Sequence, residues 1–332
     1  MPKCELHVHL EGAVPHDAPH ALAKKYNLPR VPPFTCAACR GYLDFLRIWR
    51  NRTALFREYD DYTFVAEAAL RSLVKSNVVY VELHISPGSA IVGRKMSLWR
   101  ILDAVHTGLR RVESVEYGLI VDLVRDHGPE RGEDLLEELL DTAPDAEVIA
   151  IGLGGSVGVY SIDGYGVLFE RARNAGLHTV AHAGEMAGPE AIWECIRELR
   201  PERIGHGLRS GEDRTLMDYL VDRAIPLEVC ISSNVALSVV PSAIGHPVQR
   251  FKDRGIRFSI SSDDPGIFDA DLLDNYWLLH SRLDFDMPAL LTAGRCGFEC
   301  AFLPPTRRAE LLHIFDIARS SLDSSTAGPS HM

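Results

Sequence analysis

Short apolar runs rich in β-branched residues alternate along the chain with longer stretches in which apolar residues recur every three or four positions. The first pattern suits strands buried on both faces, the second amphipathic helices. Eight strands are predicted: Cys4–His9, Val78–Ser86, Tyr117–Arg125, Glu147–Leu153, His178–His182, Arg203–His206, Pro226–Cys230 and Arg257–Ser262. Helical patterns such as Gly132–Thr142, Gly164–Ala175, Pro189–Leu199 and Asp213–Arg223 fall between them. Strand–helix alternation builds a parallel sheet, and eight such units predict an α/β fold of the closed (β/α)₈ (TIM) barrel type.

One interval breaks the rhythm. Roughly 68 residues separate the first strand from the second, more than a single crossover helix fills, so a helical insertion is expected over 35–75. Within it Tyr42, Phe45, Leu46 and Trp49 recur at helical spacing, with Phe34 and Phe56 nearby. Loops that follow barrel strands open on the active-site rim. The stripe is therefore expected to be local core and, in part, a lid. The barrel is expected to fill 1–319 as one domain, and the Ser-rich stretch 320–332 to be a frayed tail.

Composition narrows the function. Hydrophobic residues make up 46% of 332, enough for a core without disulfides. A net charge of −11 removes the basic footprint of a nucleic-acid binder and points to a small-molecule partner. No signal-peptide pattern or apolar run of transmembrane length appears, so a cytoplasmic protein is expected. Seven cysteines, an odd and scattered set, fit a reducing compartment better than a disulfide framework. Cys36-Ala-Ala-Cys39 has redox or zinc-knuckle spacing but lacks a second CxxC, and is read as two cysteines in the helical insert.

Candidate chemistry sits at predicted strand ends. His7 and His9 are two apart on a strand and share one face. Asp263 and Asp264 follow the last strand, which in a closed barrel neighbours the first. Two imidazoles and an aspartate then converge as a zinc-type metal requires. His182 ends another strand, and Glu185, three residues on, is placed to carry a proton to a substrate. Gly205 and Gly207 let His206 come close to a ligand. Asp264-Pro265 is also a helix start, and both readings can hold together. Gly152-Leu-Gly-Gly155 lacks the dinucleotide spacing and is read as a loop offering backbone amides to a heterocycle.

In this order Glu5-Leu-His-Val-His-Leu-Glu-Gly12, His182-Ala-Gly-Glu185, Arg203-Ile-Gly-His-Gly207, Ser232-Ser-Asn234, His246-Pro247 and Ser262-Asp-Asp-Pro265 resemble the adenosine deaminase family of metal-dependent aminohydrolases. The resemblance spans nearly the whole chain. It implies a barrel with one zinc held by His7, His9, His182 and Asp263. It implies Glu185 as proton shuttle at purine N1, His206 as the group orienting the attacking water, Asp264 on N7 and the Gly155 amide on N3. The reaction implied is hydrolysis of the 6-amino group of an adenine nucleoside to the 6-oxopurine and ammonia.

Departures bear on the substrate. Glu11 stands where adenosine-specific members usually have Asp, near the expected ribose 5′ end, and suggests a different 5′ group. Gly205 replaces the Asp usual in adenine-specific relatives and favours a nucleoside. Gly152 lacks the usual fourth-strand acid, which is similar to the branch acting on 6-aminodeoxyfutalosine, although the acid usual there at Val157 is also missing. A binuclear amidohydrolase would place a bridging lysine at Gly152–Gly155. A non-catalytic barrel would have lost a ligand or the acid, and all seven site residues are present.

Overall fold

A computed structural model of the protein describes residues 1–28, 34–36, 39, 41–142 and 147–326. The sheet is formed by β1 (Lys3–His9), β2 (Val78–Ile85), β3 (Glu116–Val124), β4 (Val148–Gly154), β5 (His178–Ala183), β6 (Arg203–His206), β7 (Leu227–Val229) and β8 (Phe258–Ile260). All neighbours pair in parallel and in chain order. Each of the eight expected strands is present. The last two are shorter than expected because the chain leaves the sheet early, into the helix Ile231–Ala236 and into the segment bearing Asp263.

Closure of the barrel falls on that segment. His9 N–H donates to Asp263 O at 2.9 Å, and Asp263 N–H donates to His7 O at 3.1 Å. Ser261 Oγ accepts from His7 N–H at 3.1 Å. The Ser262 amide and hydroxyl both donate to Glu5 Oε1, at 2.8 and 2.5 Å. The first and last motifs of the sequence are thus joined by backbone bonds where their side chains must meet.

Strand alternation divides the side chains. Leu6, Leu83, Val121 and Leu153 are fully buried against the surrounding helices, each contributing roughly 1.5–3 kcal/mol of burial. The barrel interior is layered. Ile120, Ala150, Val180 and Phe302 make an apolar floor. Above it the Arg203 guanidinium lies 3.6 Å from the centre of the Phe302 ring and binds Glu82 Oε2 at 2.5 Å and Glu228 Oε1 at 2.6 Å. A layer of imidazoles and carboxylates comes next.

The insertion comprises the helices Asp17–Lys25 and Tyr42–Thr53, and Tyr59–Val74 is the crossover helix to β2. Buried Arg52 pins it to the rim, donating to Phe34 O at 2.8 Å, Gly266 O at 3.0 Å, Glu11 O at 3.1 Å and Val14 O. Cys36 and Cys39 do not lie in a helix but are bonded to each other, which corrects the expectation for this pair. Their Cα atoms are 5.3 Å apart, within bonding reach. Residues 37 and 38 between them lie outside the described set. The final helix, Pro305–Thr326, runs past the expected start of the tail at 320, and 327–332 also lie outside the described residues. No helix among the described residues is long and apolar enough to cross a membrane.

Candidate active site

Strand ends position the chemical groups. His7 and His9 end β1, His182 precedes the last residue of β5, and His206 ends β6. His206 and Asp263 adopt left-handed backbone conformations, φ +61° and +67°. Such conformations are costly for residues with side chains and concentrate at functional sites. They turn both side chains off the strand direction and over the barrel mouth.

Ligand atoms of His7, His182, His206 and Asp263 all lie within 4.8 Å of one another. His9 Nε2 joins them, 3.2 Å from His182 Nε2 and 3.4 Å from Asp263 Oδ1. His7 Nε2 lies 3.5 Å from Asp263 Oδ1 and is buried without a hydrogen-bond partner. Donors about 2.0–2.1 Å from a tetrahedral zinc stand about 3.3 Å from each other. The His9–His182, His9–Asp263 and His7–Asp263 separations match the edges of such a tetrahedron. The orphaned His7 nitrogen is the atom a cation would satisfy, so the residues fit a zinc-type ion. His7 Nδ1 is held by Glu228 Oε2 at 2.7 Å, which directs its Nε2 inward.

His206 differs from those three imidazoles. Asn234 Oδ1 lies 3.2 Å from His246 Nε2, so the Asn234 amide nitrogen is free to donate. It stands 3.4 Å from His206 Nδ1 and 3.3 Å from Glu185 Oε1. With Nδ1 accepting, the His206 proton sits on Nε2. Burial drives its pKa down to about 3, so the ring is neutral and a donor.

The carboxylates are driven apart. Burial alone would raise Asp263, but the imidazoles packed around it, His7 foremost, hold it well below the usual range. Ser233 donates to its Oδ2 at 2.5 Å. Burial, and after it the charge on Asp263, push both Glu185 and Asp264 up to about 8. An ionised carboxylate, Asp263, is thus flanked by two carboxylic acids able to donate at neutral pH.

His9, His182, Glu185, His206, Asp263 and Asp264 line one cleft enclosing about 940 Å³, mouth included. That is room for a nucleoside. The helix Tyr42–Thr53 covers it with Tyr42, Phe45, Leu46, Trp49 and Arg50, one helical face as the sequence stripe predicts, ended by an arginine. Gly155 is in the wall at φ +93°, a conformation that favours glycine. Glu11 is not in the wall. Its buried Oε1 accepts from Ser86 N–H at 2.9 Å, and Ser86 lines the cleft in its place. In this structure Glu11 bears on the cleft through Ser86 of the β2 loop.

Gly12 of the first motif has a steric reason. A Cβ there would lie 1.7 Å from Asp264 Oδ1. Gly12→Ala must displace Asp264, and kcat/KM is expected to fall by about a hundredfold, an ordinary cost of a misplaced reacting group. Steady-state kinetics alongside circular dichroism would check this, and unaltered kinetics in a folded variant would count against it.

Several site residues carried no sequence signal of their own role. Ser233, Asn234 and His246 stand in recognised stretches, but only the fold shows that Ser233 holds Asp263 and that Asn234, itself held by His246, reaches Glu185 and His206. Glu228, Asp122 and His84 went unremarked, although a charge inside an apolar strand is a usable hint. Burial raises Glu228, but Arg203 and His7 outweigh it and bring it down to about 2, so it stays ionised beneath His7.

A family model described as adenosine deaminase matches residues 2–317. An aminodeoxyfutalosine deaminase of Streptomyces coelicolor is 32% identical over 327 residues, 95% of this chain and 84% of that one. An adenosine deaminase of Escherichia coli O81 is 32% identical over 323 residues, 94% of this chain and 96% of that one. The crystal structure of an adenine deaminase from Arthrobacter aurescens superposes with a TM-score of 0.88 at 28% identity, covering 96% of this chain and 99% of that one.

Proposed function

The chain belongs to the adenosine deaminase family of hydrolytic deaminases, and from that membership we propose that it deaminates an adenine nucleoside over one zinc ion. The nucleoside is adenosine or one with a larger 5′ group, such as 6-aminodeoxyfutalosine. The observation that carries this reading is the meeting of His7, His9, His182 and Asp263, at the separations a zinc-type ion requires, with the buried carboxyls of Glu185 and Asp264.

His7, His9, His182 and Asp263 hold the ion. When bound, zinc makes a water acidic enough to supply hydroxide at neutral pH. Glu185 donates its proton to N1, which ends ring aromaticity and opens C6 to addition. Asp264, also protonated, donates to the N7 acceptor. The Gly155 amide faces N3. The Nε2–H of His206 donates to the oxygen arriving at C6, where negative charge develops. Oxygen is added to C6 and hydrogen to N1. The C6–N6 bond then breaks as the proton of the new C6 hydroxyl passes by way of the ionised Glu185 to the departing nitrogen, which leaves C6=O, releases ammonia, and lets the next water return the Glu185 proton.

Relatives with three different printed substrates match at nearly equal identity, so identity supports the reaction rather than the substrate. Gly205 favours a nucleoside. A side chain at that position would bring Cβ within 2.7 Å of His7 Cε1. The aromatic face of Tyr42, Phe45 and Trp49, ending in Arg50, favours a large 5′ group with anionic character. Five free cysteines among the described residues agree with a cytoplasmic site of action.

Ammonia release from zinc-loaded protein tests the reading. The panel holds adenosine, 2′-deoxyadenosine, adenine, 5′-methylthioadenosine, S-adenosylhomocysteine, 6-aminodeoxyfutalosine and N6-methyl-AMP. Turnover is expected with a nucleoside and highest with a 5′-extended one. Turnover of adenine alone would overturn the nucleoside assignment, and silence across the panel with zinc bound would overturn the reaction.

A further inference from the structure

The fourth strand lacks an acid at Gly152, and the space such a side chain would enter is occupied. Asp122 on β3 pairs in register with Gly152 on β4. A Cβ built on Gly152 would fall 2.1 Å from Asp122 Oδ1. The carboxylate of one strand therefore fills the place left by its neighbour, and the two positions cannot both carry large side chains.

Asp122 is fully buried, and each oxygen is engaged. Oδ1 accepts from His84 Nδ1 at 2.9 Å. Oδ2 accepts from the Ser86 hydroxyl at 3.3 Å and faces His9 Nδ1 at 3.5 Å. His9 has its other nitrogen, Nε2, among the ligand atoms. A carboxylate on the far nitrogen of a metal-binding imidazole fixes its tautomer and aims its lone pair. Glu228 does this for His7, and no other carboxylate among the described residues is paired with His9 Nδ1.

We propose that Asp122 is the positioning residue of His9, an acid supplied from β3 across Gly152 to orient one metal ligand. The inference rests on the reading of His9 as a ligand. It carries a specific consequence: acid and glycine are interchangeable between positions 122 and 152, because either strand can deliver a carboxylate to the same volume.

The test measures zinc affinity by competition with a chromophoric chelator, together with deamination kinetics. It uses Asp122→Asn, Asp122→Gly, the exchange Asp122→Gly/Gly152→Asp, and His9→Ala as reference. Asp122→Asn keeps the side-chain shape and is expected to weaken zinc binding by about 10–100-fold. Asp122→Gly is expected to do at least as much, and the exchange to recover most of that loss, which a merely structural role of Asp122 would not produce. Wild-type zinc affinity in Asp122→Asn, or an exchange no better than Asp122→Gly, overturns the proposal. If His9→Ala also binds zinc normally, the ligand reading falls and the proposal with it. The expected losses and recovery of zinc affinity, with no turnover of any panel substrate, would uphold the proposal and overturn the proposed reaction alone.

Discussion

Glu185→Gln is expected to lower kcat by about 10³-fold while zinc stays bound and KM changes little, the scale of a lost general acid. The substitution keeps size and the Asn234 contact but removes the transferable proton. Asn234 donates to Oε1, which leaves Oε2 to bear that proton toward the substrate. Burial is the largest cause of the raised pKa of about 8, and the charge on Asp263 comes second. A cation on Asp263 offsets the second cause and leaves the first, so the upward direction persists in the loaded enzyme. The sign follows. Below that pKa Glu185 carries its proton and the enzyme works, and activity falls as pH rises through it. The alkaline limb of kcat/KM should vanish in Glu185→Gln. A variant retaining more than a tenth of wild-type kcat would remove Glu185 from this role.

Removal of zinc is expected to abolish turnover and to lower the melting temperature on the order of 10 °C, both restored by adding zinc back. A ligand present at about a thousandfold its Kd stabilises the native state by about 4 kcal/mol. In a chain of this size each kcal/mol moves the midpoint by about 2 °C or a little more. Burial lowers the pKa of His7 and His9, but their carboxylate partners outweigh it and bring them to about 9 and about 10. Near neutral pH the metal-free pair therefore holds protons that zinc must displace. Zinc affinity should climb with pH through this range, and loading in a weak buffer should release acid. Calorimetry in buffers of different ionisation enthalpy reads that release. Full kcat in stripped protein, or loading without proton release, would contradict the donor assignment.

Much of this site is legible before folding is considered. Alternation in Glu5–His9 puts two imidazoles on one face without help from the rest of the chain. The glycines around Glu185 and His206 mark turns where backbone must bend. Gly184 at φ +65° and Gly207 at φ +61° bear that out. The lid stripe was legible because helical spacing aligns Tyr42, Phe45, Leu46 and Trp49 whatever they face.

Glu11 shows the limit of such reading. Its place beside the His7–His9 pair suggested contact with the substrate. A four-residue helix, Leu10–Ala13, turns it inward onto the Ser86 amide. The pairing of Cys36 with Cys39 is a second case, since CxxC spacing by itself fits a bonded pair and two free thiols equally well.

By itself the sequence determined the strand order, the barrel class and the set of groups available at the strand ends, because those follow from local periodicity and from the fixed rim of a parallel barrel. Tertiary structure alone decided their protonation and aim. Glu228 reaches His7 across 221 positions of chain, and the Glu82–Arg203 pair spans 121. Burial, rather than any motif, keeps Glu185 and Asp264 protonated and leaves His206 neutral, and imidazoles brought in from other strands hold Asp263 ionised against it. A pKa depends on what surrounds a group in space, and chain separation carries no information about that until the barrel closes.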